Sequence, residues 1–581
     1  MPLLAPALAA IYIPSFFTSF QDTAQYKVIS DELDVIVKDT IARDDSSDDV
    51  QLIDGADEGP LQELDVQETV QYEEREPKIL RTLLTGLPSP SSALWSWVTF
   101  ALNMALIAMA LDVVYRAPLL HQCHNASFGR VGYVSDHSAN ILIREPYAFD
   151  VKVLYRSIDE PNRLWMQKTH LSSQPKHWLT NETDFTTVLK LDLKPDTAYE
   201  YVVETSSGNK TGTFTTAPKP GHTSQLKDGK YTFVHSSCIK PRVPYTPFQH
   251  PLEFPGMAHL ARWIPELKPY FMLFLGDFIY VDVPHRQGKD METYRREYRQ
   301  VYSSPSWPAV SDNLPWIHVI DDHEIQNDWN ANMTGVAVPA YDAFSIYNAA
   351  ANPPAHRKGH TYFSFTQGPA EFFLLDTRRY RSPASNDPND PSKTMLGEAQ
   401  LEDLLAWIHR VPHSGVNWKF IVTGIPFTKN WQFGSEDTWG GYLSERRTIL
   451  EAAWQLSSTA GVGVVILSGD RHEFAATSFP PPAGSKWPIS ATVHEFSTSP
   501  LSMFYLPFRT YKETDDEDVC IKYLPDGNSK FGAVEITNPP MGEQSLLNYR
   551  LFIDGEEAWT HTISTPPERG GSHRAKDAVW A

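Results

Sequence analysis

The chain has 581 residues, of which 41% are hydrophobic and 12% aromatic, so it is too long for one core and two or three folded units are expected. Its 50 basic and 71 acidic residues give a formal net charge of −21, which argues against a nucleic-acid backbone as partner. Three cysteines exclude a disulfide-based scaffold. Cys123 and Cys520 could pair and leave Cys238 alone, or all three could be free thiols.

Residues 1–20 are apolar but lack a basic start and a small-residue cleavage site, so they are not typical of a signal peptide. A membrane span broken by Pro6 and Pro14 is one interpretation, and an apolar segment that does not span is the other. Residues 21–90 follow. Most of this region is rich in Asp and Glu and poor in aromatic residues, and we expect it to be largely disordered.

Residues 94–115, LWSWVTFALNMALIAMALDVVY, predict a transmembrane helix. Residues 94–111 carry no charge, which reaches the length of about 18 residues that a spanning helix needs. Trp95, Trp97 and Tyr115 suit the two membrane interfaces. The alternative is a buried core helix, which we favour less because the acidic flank offers no core to bury it.

Acceptor triplets for N-glycosylation all follow this segment, at Asn125, Asn181, Asn209 and Asn332. They favour a lumenal or extracellular location for the rest of the chain, in the secretory pathway. The protein would then be a single-pass membrane protein, or a two-pass one if residues 1–20 also span.

Alternating apolar runs over residues 119–218 predict a small β module that resembles a fibronectin type III domain. Pro195 and Asp196 mark a turn, and Tyr199 follows at the position of a tyrosine corner, which hydrogen-bonds back across such a turn. No residue of this module suggests chemistry, so we interpret it as a stalk or packing partner.

Residues 231–565 show short apolar runs that each end in a polar residue and alternate with longer segments, a pattern that predicts a layered α/β domain. The last residues, 566–581, are expected to form a disordered tail. Ligands of such domains lie at the carboxyl ends of the strands. The polar residues at these ends are Cys238, Asp277, Tyr280, Asp322, His323, Asp470 and His472.

A single carboxylate at a strand end is often only a turn residue or a helix cap. The DDHE stretch at 321–324 is more informative, because three carboxylates around one imidazole repel one another unless cations or hydrogen bonds offset the repulsion. Asp470 and His472 are two residues apart, and on extended backbone their side chains point the same way. Oxygen, nitrogen and sulfur donors at several strand ends together indicate a metal site.

Seven short motifs occur in one order between residues 231 and 540: SSC, GDFIY, DDHEIQNDW, LDTRRYR, LGEAQLEDLLAWI, DTWGGYLSER and LSGDRHE. In this order they resemble the PhoD-like (alkaline phosphatase D) branch of the calcineurin-like metallophosphoesterases. The resemblance implies an α/β fold with a four-layer metallophosphoesterase-type β-sandwich flanked by helices. A fibronectin type III-like β-sandwich and an N-terminal membrane segment would precede it, as in a membrane-anchored eukaryotic member of fungal type.

The resemblance also implies two metal ions. Fe³⁺ would occupy a first site, whose sulfur, phenol and imidazole donors suit iron. Ca²⁺, or Mg²⁺ or Mn²⁺, would occupy a second site lined by oxygen. The implied ligands of the first site are Cys238, Asp277, Tyr280 and His472, and those of the second site are Asp277, Asp322, Asp470 and, additionally, Asn327. Residues 421–428 lack the middle histidine of the wider superfamily, which fits an oxygen-lined second site and argues against zinc there.

The implied activity is a membrane-tethered phosphoester hydrolase, a phosphatase or phosphodiesterase, in which a metal-bound hydroxide attacks in line. His323 would stabilise the transition state or protonate the leaving alkoxide, or would only hydrogen-bond its neighbouring carboxylates. Glu324 is expected to orient the site. Of Arg378 and Arg379, one would clamp phosphate oxygens and the other would pair with an acid such as Glu398, and we favour Arg378 as the clamp.

The expected partners are a phosphoester substrate and the lipid bilayer, through residues 94–115, with no nucleic acid and no protein partner inferred. One alternative is a catalytically inactive, membrane-anchored binding or scaffold protein with a phosphatase-like fold. A redox iron protein is another, but it leaves Asp322 and Asp470 unexplained. Monoester, diester and phospholipid substrates all stay open.

Overall fold

The structure is a computed structural model that describes residues 4–21, 24–39, 62–148, 150–162, 164–170, 179–206, 208–382, 387–538 and 544–567. The chain divides into two compact units, Met1–Tyr115 and Arg116–Ala581. The expected disordered tail lies almost entirely outside the described residues. All three cysteines are free thiols, so the alternative of a Cys123–Cys520 disulfide is not realised.

The first unit contains two apolar helices and a β-hairpin. Its elements are α1 (Leu4–Phe20), β1 (Tyr26–Asp39), β2 (Gln62–Glu74), α2 (Ile79–Thr85) and α3 (Ala93–Leu120), the last of which runs on past the unit boundary.

Strands β1 and β2 pair antiparallel, so the described part of residues 21–90 is ordered where its acidic composition predicted disorder. The physical reason is cross-strand pairing of apolar side chains: Val35 lies opposite Val66, and the Tyr26 and Tyr72 rings are 6.2 Å apart. The average composition of the region does not show which side chains face each other across the strands, so it does not predict these pairs. Residues 40–61, which connect the strands, lie outside the described residues.

Helix α3 confirms the helix predicted over residues 94–115. In the described part of the chain it is the one helix that is long and apolar enough to cross a bilayer, and 11% of its apolar window is buried. Helix α1 is apolar but shorter. Aromatic side chains join the two helices, with the Phe16 and Phe100 ring centroids 4.8 Å apart. Whether either helix spans a membrane stays a prediction.

The second unit begins with the predicted β module. Its strands are β3 (Phe128–Val134), β4 (Ser138–Arg144), β5 (Val151–Ser157), β6 (Met166–His170), β7 (Thr186–Asp192), β8 (Ala198–Glu204) and β9 (Lys210–Thr215). Two sheets, ordered β3-β4-β7 and β6-β5-β8-β9, pack around a core that includes Ile141 and Val153. The backbone N–H of Lys194 donates to the Tyr199 hydroxyl oxygen at 3.0 Å, which confirms the predicted tyrosine corner.

The C-terminal domain follows, with helices and strands alternating along the chain. Its helices are α4 (Pro255–Leu267), α5 (Met291–Tyr302), α6 (Trp307–Ser311), α7 (Ala337–Tyr347), α8 (Gly397–His409) and α9 (Leu443–Ala460). Its strands are β10 (Lys230–Ser236), β11 (Met272–Leu275), β12 (Trp316–Val319), β13 (Phe363–Gln367), β14 (Ala370–Leu374), β15 (Trp418–Val422), β16 (Gly463–Ser468), β17 (Phe474–Phe479), β18 (Val493–Thr498), β19 (Val519–Leu524), β20 (Lys530–Thr537), β21 (Leu546–Ile553) and β22 (Glu556–Ser564).

These strands form two sheets, ordered β12-β11-β10-β20-β21-β22 and β13-β14-β15-β16-β18-β17-β19. Apolar side chains of both sheets, such as Phe233 and Phe420, form a shared core between them. Helices α4 to α7 pack on the outer side of the first sheet, and α8 and α9 pack on the outer side of the second. The result is the predicted four-layer β-sandwich flanked by helices.

Strands β10, β11 and β12 run parallel, as do β14, β15, β16 and β18. Their near-continuous apolar sequences, such as MLFL in β11, are typical of strands buried on both faces. Because parallel strands end at the same edge of a sheet, the polar residues that follow them collect together.

Candidate metal centre

Loops after four parallel strands carry the residues predicted to bind metal. Cys238 follows β10, Asp277 follows β11, Asp322 follows β12 and Asp470 follows β16, so the two sheets both contribute donors. Gly276 allows the β11 and β12 loops to meet, because a Cβ at its position would lie 2.3 Å from Asp321 Cβ. The apolar run of β11 therefore ends in glycine and then presents the Asp277 carboxylate.

The first group of donors consists of Cys238, Asp277, Tyr280 and His472, as predicted. Cys238 Sγ lies 3.3 Å from Asp277 Oδ2, and the Tyr280 hydroxyl lies 3.1 Å from both Asp277 Oδ2 and His472 Nε2. The ligand atoms of Cys238, Asp277 and His472 are all within 4.8 Å of one another. Cys238, Asp277 and Tyr280 are buried, so a cation here would be largely shielded from solvent.

The second group is made of carboxylates and shares Asp277 with the first. Carboxylate oxygens of Asp277 and Asp322 lie within 4.8 Å of each other, and so do those of Asp321, Asp322 and Asp470. Asp321 was not among the predicted ligands. Its Oδ2 atom is buried and has no hydrogen-bond partner in the described chain, which suits an oxygen that faces a cation.

The position of Asn327 differs from that of the other predicted ligands. Its side chain is exposed, and its Nδ2 donates to Asp328 Oδ2 at 2.7 Å. The Asp328 backbone N–H in turn donates to Asp322 Oδ2 at 2.6 Å. Asn327 thus lies beside the carboxylates and is connected to Asp322 only through Asp328.

Glu324 holds the loops of the first sheet together. Its Oε2 accepts the backbone N–H groups of Asp277 and Asp321, both at 2.9 Å, and its Oε1 accepts that of Phe278 at 2.6 Å. These bonds fix the loops that present Asp277 and Asp321, as expected of an orienting group.

Arg378, the predicted phosphate clamp, lies among the carboxylates of the site. Its buried guanidinium donates to Asp321 Oδ1 at 2.5 Å and to Asp437 Oδ1 at 2.8 Å. Its Nη2 lies 3.7 Å from Asp322 Oδ1 and has no hydrogen-bond partner in the described chain. Arg378 thus supplies a cation to the buried carboxylates, and its role as a phosphate clamp stays a prediction. Arg379 instead lies over the Tyr341 ring at 5.6 Å, and in the described chain it forms no ion pair with Glu398.

Sequence reasoning missed Asp282, which orients His323. The Nδ1 atom of His323 is 2.7 Å from Asp282 Oδ1, and Asp282 Oδ2 accepts the Asn327 backbone N–H at 2.8 Å. The Tyr280 ring lies beside the imidazole, with centroids 4.2 Å apart. The only signal in the sequence was a second aspartate five residues after Asp277, which by itself indicates nothing about His323.

Burial and mutual repulsion disfavour the ionised forms of the donor groups. Burial, and then the Asp322 carboxylate, raise the pKa of Asp277 well above its usual value, and burial also raises the pKa of Asp470. Burial, and then Asp277, raise the pKa values of the Cys238 thiol and the Tyr280 phenol. Bound cations reverse these shifts, because they favour the ionised forms of the same donors.

The pKa values of the two imidazoles shift in opposite directions. Burial lowers the pKa of His472 to about 3, so its imidazole is neutral and can donate a lone pair to a metal. Burial also lowers the pKa of His323, but the carboxylates of Asp322, Asp277 and Asp282 outweigh burial and raise it to about 10. One ring nitrogen of His323 also lies within 4.8 Å of carboxylate oxygens of Asp277 and Asp322.

Backbone conformation adds a further sign of a built site. The non-glycine residues Cys238, Asp277, Asp470 and His472 all have φ between 58° and 75°. Each left-handed conformation costs about 1–3 kcal/mol and persists only where the surrounding fold stabilises it.

The chemistry of the donor atoms fits metal binding. Thiolate, phenolate and imidazole suit iron, and the all-oxygen set suits a hard divalent cation.

Comparisons with known proteins identify sequence relatives of this chain. The sequence model of the PhoD-like phosphatase family matches residues 233–538, more than half of the chain. Alkaline phosphatase D of Bacillus subtilis (strain 168) is 26% identical in an alignment 325 residues long that covers 48% of this chain and 52% of that protein. The match thus spans about half the length of that relative.

Two solved structures share the fold. A structure of PhoD is similar with a TM-score of 0.57 at 20% identity, over 76% of this chain and 92% of that chain. The purple acid phosphatase PPD1 from yellow lupin (Lupinus luteus) seeds is similar with a TM-score of 0.51 at 14% identity, over 76% of this chain and 75% of that chain. Given the family match and this shared α/β fold, the chain belongs to the PhoD-like phosphatase family and is a homologue of alkaline phosphatase D.

Proposed function

We propose that this protein hydrolyses phosphoesters, as a phosphatase or phosphodiesterase, with two metal ions. One observation carries the proposal: a sulfur, phenol and imidazole group and an all-carboxylate group meet at one shared residue, Asp277. A carboxylate shared between two donor groups is suited to bridging two cations. A redox protein with iron alone would not need the second group.

We propose Fe³⁺ at the first group and Ca²⁺, or Mg²⁺ or Mn²⁺, at the second. Cys238, Tyr280 and His472 would hold the iron, Asp322 and Asp470 the second cation, and Asp277 both. The unpartnered Oδ2 of Asp321 supports adding this residue to the second set. When bound, the two cations would neutralise charge on the phosphoryl group and increase the acidity of water.

His323 is the group of the chain suited to move a proton. Its Nδ1 faces Asp282, so the ring is oriented and Nε2 is the nitrogen left for the substrate. The Asp282 carboxylate belongs to neither donor group, so it would still favour the protonated imidazole when cations neutralise Asp277 and Asp322. Transfer of the Nε2 proton to the ester oxygen as the P–O bond breaks would release a neutral alcohol instead of an alkoxide.

We further propose that the chain is a membrane-anchored protein of eukaryotic type, held in the bilayer through residues 94–115. The exposed apolar surface of α3 supports this anchor, because 11% of its apolar window is buried. Exposed acceptor residues Asn125, Asn181 and Asn209 support a lumenal or extracellular catalytic domain. A second pass through α1 would be compatible with the same orientation only if the chain starts on the lumenal side.

The test uses the full chain purified in detergent, with metal analysis beside a panel of phosphate monoesters and diesters. We expect bound iron and phosphate release that rises on addition of Ca²⁺ or Mn²⁺. We expect Asp277→Asn to lower the rate of phosphate release on the order of 100-fold or more, because Asp277 belongs to both donor groups and even a residue that only orients a metal ligand contributes about 10–100-fold. Asp192→Asn is the matched control, since its side chain is 84% exposed in the β module. Absence of both iron and hydrolysis would favour the scaffold alternative.

A further inference from the structure

Ser237 lies where the loops of the two sheets meet, directly before Cys238. It is fully buried, and its Oγ is 2.9 Å from Cys238 Sγ. The same Oγ accepts the Asp470 backbone N–H at 3.1 Å. Gly469 packs against it so closely that a Cβ there would lie 2.4 Å from Ser237 Oγ. The hydroxyl is therefore held between a ligand of each proposed metal site.

The direction of these hydrogen bonds follows from the donors available. A serine hydroxyl has one hydrogen, and the Asp470 N–H occupies a lone pair of the oxygen, so the hydrogen is free to point at the sulfur. In the metal-loaded site proposed above, Asp277 and Tyr280 are ionised and have no hydrogen to donate. The Ser237 hydroxyl is then the side-chain donor that the structure places against Cys238 Sγ.

We propose that Ser237 is a positioning residue that donates a hydrogen bond to the iron-ligating sulfur of Cys238 and ties it to the loop of Asp470. The inference rests on the proposed ferric site. A hydrogen bond to a ligating sulfur withdraws charge from it, which weakens the metal–sulfur bond and raises the reduction potential of the iron. The same hydroxyl keeps the Asp470 loop in place, so it links the two metal sites.

The first measurement needs no variant. Resonance Raman spectra of the wild-type protein in H₂O and D₂O are expected to differ in the Fe–S stretching band, because the serine hydroxyl hydrogen exchanges with solvent. An iron-loaded protein whose Fe–S band does not move in D₂O would overturn the inference alone. A wild-type protein that binds no iron would overturn both this inference and the proposed function.

The second measurement compares Ser237→Ala with Ser236→Ala. Ser236 is equally buried, but its hydroxyl donates to the Lys530 carbonyl at 2.6 Å and not to a proposed ligand. Ser237→Ala is expected to raise the Fe–S stretching frequency, lower the reduction potential and weaken binding of the second cation by about tenfold. Ser236→Ala is expected to leave all three near wild type. Equal values in the two variants would show that Ser237 has only a structural role.

Discussion

Asp282 offers the most direct test of the proposed proton transfer, because it touches His323 and belongs to neither donor group. Asp282→Asn keeps the shape of the side chain but removes its charge. The 2.7 Å contact with His323 Nδ1 then loses the charge that orients the ring and decides which nitrogen faces the substrate. Loss of such an orienting partner typically costs about 10–100-fold in activity, and the low end, roughly a tenfold lower kcat, corresponds to a barrier about 1.4 kcal/mol higher.

The assay varies the leaving group of the phosphoester. An alkyl ester needs protonation of a strongly basic oxygen, whereas a nitrophenyl ester leaves readily without it. We therefore expect Asp282→Asn to lower kcat about tenfold for the alkyl ester and much less for the nitrophenyl ester, with iron content unchanged. Asp192→Asn, at an exposed position of β7, is the control. An equal loss with both esters would refute proton donation by the His323–Asp282 pair.

Three further predictions concern Tyr280, Glu324 and His235, a buried residue of β10. Tyr280→Phe removes the phenol of the first donor group, so we expect the ferric–phenolate absorption band to disappear; a band that persists excludes Tyr280 as a ligand. Glu324→Gln leaves one acceptor oxygen for three backbone N–H groups, and we expect the free energy of unfolding to fall by about 2–4 kcal/mol in denaturant titrations. Burial lowers the pKa of His235 to about 3, so the folded state stays neutral while the unfolded state binds a proton below about pH 6.5. The free energy of unfolding should therefore fall as the pH falls. Between pH 7 and pH 5 the decrease should be about 2 kcal/mol smaller in His235→Gln than in wild type.

The controls differ between these predictions. Tyr442→Phe suits the tyrosine variant, because its buried hydroxyl bonds to the Ser382 carbonyl and to none of the proposed ligands. For the glutamate variant, a free energy of unfolding equal to that of wild type would mean that the three hydrogen bonds from backbone N–H groups do not hold the loops. For the histidine variant, an unchanged difference in stability between the two pH values would contradict a buried neutral imidazole.

The strands that position the site could be predicted from the sequence, because their information is local. Six apolar runs that end in polar residues correspond to β10, β11, β12, β14, β15 and β16. The tyrosine corner of the β module is likewise a short motif, and the structure confirms it at Tyr199. Residues two or three positions beyond a parallel strand meet their counterparts whatever the loops between them, so Cys238, Asp277 and Asp470 could be grouped in advance.

Composition was a poorer guide at the N-terminus. The acidic stretch predicted disorder, yet β1 and β2 pair across a long gap in sequence. Pairing depends on which side chains face each other, a property that an average over residues 21–90 does not contain. The membrane segment is different again, since length and apolar composition predict the helix but do not show what surrounds it.

The sequence by itself determined the types of donor atom and the strand ends that carry them, because periodicity and chain order specify both. Only the tertiary structure decided which partner each polar side chain has. Arg378 neutralises Asp321 inside the protein, Asp282 orients His323, and Asp321 keeps an unpartnered oxygen. The physical reason is that burial makes every unpaired charge costly, and the partner that removes this cost comes from whichever loop the fold brings near, not from a fixed distance along the chain.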